Sequence, residues 1–145
     1  PDDELLDLAE SGALSEPETL DRQVDRMLAD ARAERFPKHF VRQWLGMSLL
    51  DYLQVDRKAY PKFDSRLKTA MAQEPVAFFA EILRTDESAL KFLDSDFTMA
   101  DERLARHYGI EGVTGNQLRR VPVGDQPSRV ALIAQAGLLA MNSDG

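Results

Sequence analysis

The chain of 145 residues has no cysteine, only two histidines and a single tryptophan. Without thiols there is no disulfide framework, no thiol catalysis, no Cys-ligated zinc or iron–sulfur cluster, and no C-x-x-C-H attachment for haem. The redox compartment stays open on this ground. Positive charge is also in deficit, because 18 Lys plus Arg against 25 Asp plus Glu leave a net charge of −7. That balance works against nucleic acid or an anionic membrane as the main partner. No apolar run approaches the roughly 18 residues of a membrane span. A Gly-x-Ser-x-Gly elbow, a phosphate-cradling glycine loop, an internal repeat and a low-complexity tract are absent as well. The opening Pro1-Asp-Asp-Glu4 stands where a start Met or a basic signal peptide would, so the chain reads as an excised or processed segment. What is present is a globular composition, 43% hydrophobic and 30% charged. A domain of this length buries roughly two thirds of its unfolded surface and needs neither a staple nor a metal to fold.

Hydrophobic periodicity predicts helices along most of the chain. Asp2–Glu10 reads as a short acidic helix with Leu5, Leu6 and Leu8 inward, closed near Gly12. Ser15 is placed to cap a second helix with Pro17 in its first turn, and Leu20, Val24, Met27 and Leu28 form its apolar stripe. A third pattern runs from Asp30 to Gly46, with Phe36, Phe40, Val41, Trp44 and Leu45 on one side. Pro37 inside it predicts either a kink or a helix that begins with the proline in its first turn. Residues 49–63 read as a connection that packs Tyr52 and Tyr60 on the helices. Asp64 caps a further helix whose stripe is Leu67, Met71, Phe78, Ile82 and Leu83, with Pro75 predicting a kink or two helices meeting near Gln73 and Glu74. A short helix follows at Ser88–Leu93.

Thr98-x-x-Asp101 resembles a capping box opening a helix through Tyr108. Gly109 is its left-handed stop, and Ile110 folds back on Leu104 or Ala105. Gly112 and Gly115 punctuate a turn-rich stretch, residues 118–123 read as extended, and 124–128 as a loop. In the apolar tail, Arg129–Asn142, the residues Val130, Ile133, Ala134, Gly137, Leu138 and Met141 fit a helical face, although alternation keeps a strand open.

Few residues suggest chemistry. His39 and His107 lie on separate helices without the i, i+4 partner of a helix-borne metal site, and His107 suits a helix C-terminus. Asp94, Asp96, Thr98, Asp101 and Glu102 cluster oxygen donors, but Met99 and Ala105 occupy the sixth and twelfth positions, where a calcium loop needs Gly and Glu. Glu74 and Glu81 are a candidate carboxylate pair for acid–base work, about 10 Å apart along a helix, and read more simply as a solvated face. Arg103, Arg106, Arg119 and Arg120 form the one basic concentration, suited to a carboxylate, phosphate or haem propionate, with intramolecular pairing as the default. Trp44 with Tyr52 and Tyr60 is either a stacking platform or core packing, and Trp44 shares the stripe of Phe40 and Leu45. The candidate ligand or anion residues are therefore His107, Arg106, Arg119, Arg120 and His39. No catalytic residue and no metal site is identified.

The segment Asp96-Phe-Thr-Met-Ala-Asp-Glu-Arg-Leu-Ala-Arg-His-Tyr-Gly-Ile110, followed by Gly112-Val-Thr-Gly115 and Leu118-Arg-Arg-Val-Pro122, resembles the domains of unknown function in large c-type cytochrome proteins of planctomycetes and related bacteria. Pro1–Leu6 with Leu8–Gly12, Met27–Asp30 with Arg32–Phe36, and Phe40–Gly46 agree with it. Ala131–Ser143 is similar to the start of the next module in those proteins. Pro37, Pro75 and Asp101 depart from the family pattern. The resemblance implies a multidomain protein of the periplasm or cell envelope in which a separate haem domain carries haem c. It implies no cofactor in this segment and carries over no catalytic residue.

Together these readings predict an all-α fold, a compact bundle of about six or seven short helices around Trp44, Phe40, Phe78, Phe79 and Ile82, with a turn-rich segment after Gly109. The expected domains are residues 1–128, helical, and 129–145, the truncated start of a next module. The expected function is a non-catalytic packing or interaction module whose partners are neighbouring domains, a haem domain among them, without nucleic acid or membrane insertion. The alternative is a domain that lends residues to the active or ligand site of a multidomain redox or hydrolytic enzyme, so whether it serves an enzyme stays open. The apolar tail leaves a dimer of the isolated chain open as a further expectation.

Overall fold

Helix signals dominate because capping side chains and apolar stripes recur at helical spacing, and the computed structural model, which describes residues 1–56, 58–124 and 131–143, follows most of them. Among the described residues there are seven α-helices and one two-stranded antiparallel sheet. The expected all-α class therefore holds only approximately. The chain divides into two units, Pro1–Phe36 and Pro37–Gly145.

In the first unit, α1 (Asp3–Glu10) and α2 (Pro17–Ala29) are joined through a 3₁₀ turn, Ala13–Ser15, and a second 3₁₀ turn follows at Ala31–Glu34. Ser15 ends the first turn instead of capping α2, whose cap position is Glu16, with no side-chain hydrogen bond. The seam between the helices is polar. Asp2 accepts the Leu5 N–H at 3.1 Å as the cap of α1 and receives two N–H bonds from Arg26, at 2.6 and 2.9 Å. Arg26 also donates to Gln23, which donates to Glu4, both at 2.8 Å. The Arg26 guanidinium holds the Asp2 carboxyl well below the usual carboxylate range. As a result Thr19 and Gln23 are the buried residues of α2. The stripe of Leu20, Val24, Met27 and Leu28 stays 41–48% exposed, and α1 buries none of its leucines.

The second unit holds the hydrophobic core. Helix α3 (Arg35–Trp44) carries Pro37 in its first turn, where its missing N–H has no intrahelical acceptor to lose, and α4 (Ser48–Tyr52) replaces part of the expected connection. Gly46, at φ 62°, takes the left-handed conformation that separates them. Helix α5 (Ser65–Arg84) is the central element, started by Asp64, which accepts the Leu67 N–H at 2.7 Å. It runs without interruption through Pro75. Strand β1 (Phe97–Ala100) pairs with β2 (Arg119–Pro122) in the register Phe97↔Pro122 and Thr98↔Val121. Between them, α6 (Glu102–Tyr108) is capped by Asp101, which accepts the Leu104 N–H at 2.8 Å. Thr98 is thus a strand residue, not a cap. Gly109 and the Ile110 N–H to Ala105 carbonyl bond of 2.8 Å close α6 as expected. In the tail, a 3₁₀ turn at Leu132–Ala134 precedes α7 (Ala136–Met141). The expected loop at 125–128, together with Arg129 and Val130, lies outside the described residues.

The core gathers Met47, Leu50, Leu67, Met71, Phe78, Ile82, Phe97 and Leu104 with Leu132, Ala136 and Leu138 of the tail. Of its expected centre, Phe78 and Ile82 are buried and Phe79 is partly buried. Phe40 and Trp44 instead stay 40% and 52% exposed, and Tyr52 and Tyr60 are exposed as well. These rings form a surface cluster: Phe40 meets Trp44 and Phe79, and Trp44 meets Phe92 edge-on. Pro75 offers no N–H to the Met71 carbonyl one turn back, and Gly137 of α7 sits against that carbonyl so closely that an added Cβ would lie 2.6 Å from its oxygen.

Gly137→Ala is expected to lower stability by about 1–3 kcal/mol, because only backbone could give way. Gly109→Ala meets open space and is expected to lose only about 1 kcal/mol, for its left-handed backbone. Urea unfolding midpoints of the two variants check the order.

Candidate functional site

In the middle of α5, Glu74 falls in phase with the apolar stripe of Leu67, Met71, Phe78 and Ile82, and the fold buries it completely, at 0% exposure. The expectation of a solvated face is corrected here. Glu81, one and a half to two turns further on, is partly buried and binds Arg84 at 2.9 Å, so the two carboxylates do not form a pair.

Three elements supply the surroundings of Glu74. The Thr98 hydroxyl of β1 lies 2.7 Å from Oε1, and the Tyr108 hydroxyl at the end of α6 donates to Oε2 at 2.6 Å. The same hydroxyl accepts the Ala136 N–H, the first of α7, at 2.8 Å. One carboxyl therefore ties α5, β1, α6 and α7 together. Burial pushes its pKa up to about 7, while the Thr98 and Tyr108 hydrogen bonds pull the other way. Beside it is a cavity of ≈ 10 Å³ lined by Glu74, Thr98, Tyr108, Ile110, Ala134 and Gln135, among others. This space is far below the several hundred Å³ of an ordinary ligand pocket. Gln135 Oε1 is the one buried side-chain oxygen without a hydrogen-bond partner among the described residues.

The residues singled out from sequence lie elsewhere. His107 is exposed in the last turn of α6, its ring 5.7 Å from that of Tyr108. His39 is exposed on α3, and the two imidazoles belong to no described group of three metal-ligating side chains. Arg106 binds Glu102 at 2.6 Å. Arg119 donates to the Thr114 carbonyl. Arg120 lies over the Phe97 ring at 3.7 Å from its centroid and pairs with Glu87. Arg103 binds Asp64 at 3.0 Å. The four arginines therefore do not converge on one point. Arg103 and Arg106 do border an open groove of ≈ 660 Å³ with Arg66, Gln73, Asp101 and Asn116 among its walls. Asp96 of the acidic cluster pairs with Lys91, and Asp101 caps α6.

Glu74, which the sequence suggests as a solvated carboxylate, was signalled as buried by its phase: a Glu on the buried row of a helix, followed directly by a buried proline. Its raised pKa has a definite sign. The folded chain holds a proton on Glu74 up to about pH 7, whereas the unfolded chain releases it near 4.5. The protonated form's stability is fully present below 4.5 and is lost as pH rises to about 7, by about 3 kcal/mol at ~1.4 kcal/mol per pH unit. Unfolding free energies measured from pH 4.5 to 8 are expected to show that fall and then level off. Glu74→Gln, which keeps a donor for Thr98 and an acceptor for Tyr108, is expected to remove this component. Tyr108→Phe strands both Glu74 Oε2 and the Ala136 N–H, and a loss of about 2–4 kcal/mol in the same assay is expected.

The chain belongs to the PSD4 family, Protein of unknown function (DUF1592), whose family model matches residues 1–110. No curated protein and no solved structure matches it significantly.

Proposed function

We propose that this member of the PSD4 family is a non-catalytic packing or interaction module of a larger envelope cytochrome-type polypeptide, in which haem c belongs to another domain. The observation that carries this reading is the contrast between two kinds of surface. Among the described residues, the one buried carboxyl with a strongly shifted proton affinity is enclosed and tied to structural hydrogen bonds. The apolar groups with room to engage a partner are outside: the α2 stripe in the first unit and the Phe40, Trp44 and Phe92 cluster in the second. Clustered exposed apolar side chains mark interaction surfaces more often than reactive sites. The cytochrome, planctomycete and periplasmic setting rests on the likeness of the segment from Asp96 to Pro122 and its companions to those proteins. The partners in this reading are neighbouring domains of the same polypeptide.

A second reading, that the domain lends residues to the ligand site of a redox or hydrolytic neighbour, is favoured by the groove that Arg66, Arg103 and Arg106 border. Its rim carries Asp101 and Glu102 beside the three arginines, and a carboxylate or phosphate bound there would compete with the Arg103–Asp64 and Arg106–Glu102 pairs.

Exposed stripe positions separate these readings. Val24→Asp and Met27→Asp are expected to leave the unfolding free energy of the isolated chain within about 0.5 kcal/mol, since no core contact is removed. In a longer polypeptide carrying the adjoining domains, the same pair is expected to open those domains to limited proteolysis. Unchanged proteolysis overturns the interaction reading. Saturable haem or phosphate binding that Arg66→Ala or Arg106→Ala abolishes would establish the second.

A further inference from the structure

The protons around Glu74 can be counted. The Tyr108 hydroxyl accepts the Ala136 N–H, so its single proton points to Glu74 Oε2. The 2.7 Å contact between Thr98 Oγ1 and Glu74 Oε1 carries one proton, supplied from either side. With a neutral acid, Glu74 donates to Thr98, and the Thr98 proton is released toward the cavity that both residues line. With an ionised acid, Thr98 donates, and Oε1 keeps a lone pair facing the same space. In neither state does Gln135 Oε1, on a residue only 4% exposed, receive a donor from the described residues. An unsatisfied buried acceptor costs about 1–3 kcal/mol.

We propose that this cavity is the binding site of one internal water molecule, held by Gln135 Oε1, Thr98 Oγ1 and Glu74 Oε1. Its ≈ 10 Å³ is about one water in size, and three polar partners match the usual coordination of a buried water. Water is the ligand class that fits both protonation states. It donates one proton to Gln135 in each. With the neutral acid it accepts from Thr98, and with the ionised acid it gives its second proton to Glu74. An ammonium ion has no lone pair for the first state. A divalent metal would find one carboxylate and two neutral oxygens, too few for its usual shell. In the neutral state a one-way hydrogen-bond chain runs from the Ala136 N–H through Tyr108, Glu74, Thr98 and the water to Gln135, so that it returns to the residue beside its start.

Oxygen-17 relaxation dispersion on the intact chain counts waters of long residence, and a high-resolution crystal structure locates them. Gln135→Met, which keeps volume and removes the acceptor, is expected to lower the count by one. Density is expected about 2.7–3.2 Å from both Gln135 Oε1 and Thr98 Oγ1. An equal count in the two proteins, an empty cavity, or Gln135 turned onto a protein donor overturns the proposal. If Gln135→Met does not fold, the crystal structure of the unsubstituted chain decides alone.

Discussion

A carboxyl group with no access to solvent is the constraint on which the second unit is organised. Desolvating Glu74 is unfavourable, and the site compensates with hydrogen bonds from elements far apart in sequence. Tyr108 is the pivotal partner, because its hydroxyl serves the carboxyl and the first N–H of α7 together. Apolar packing alone would leave strand β1 and helix α7 free to shift against α5. Directional bonds fix their register, from β1 to the carboxyl and from α7 to the Tyr108 hydroxyl that serves it.

The two units are stabilised by different physics. In the first, a guanidinium and three polar side chains hold α1 to α2, and the apolar side chains of α2 are left at the surface. Such a partly exposed polar seam adds little stability and is screened by salt. In the second, side chains from helices α4, α5, α6 and α7 and from both strands form a continuous apolar interior. The carboxylates also respond to pH in opposite directions. Hydrogen bonds and nearby cations lower Asp2, Asp64, Glu87 and Asp96, while burial raises Glu74. The lowered group favours folding once ionised. The raised one favours folding while neutral.

Much of the helical layout was legible, because caps are local. Asp64, Gly46 and the Gly109–Ile110 closure act within one turn of themselves, and the structure places them where the sequence suggests. Burial was less legible, since it depends on which face meets a neighbour. The α2 stripe has the period of a core helix, but the arginine and glutamine of the opposite face are the ones engaged with α1. Trp44 shares a stripe with Phe40, and both lie at the edge of the core. Strand β1 has four residues, all buried, and so shows no alternation to distinguish it. Glu74 was legible in principle, through its phase on α5, but charge argued for solvent. The Tyr108 and Thr98 hydroxyls that make its burial tolerable lie 34 and 24 positions away.

The proximity of Gly137 to the Met71 carbonyl bears on where this fold ends. The family match stops at residue 110, but Leu132, Ala136 and Leu138 are core residues, and Ala136 supplies the proton that orients Tyr108. A polypeptide trimmed at the edge of the family match would bare the flank of α5 against which Gly137 is seated. The packed core extends beyond the segment by which its kinship is detected.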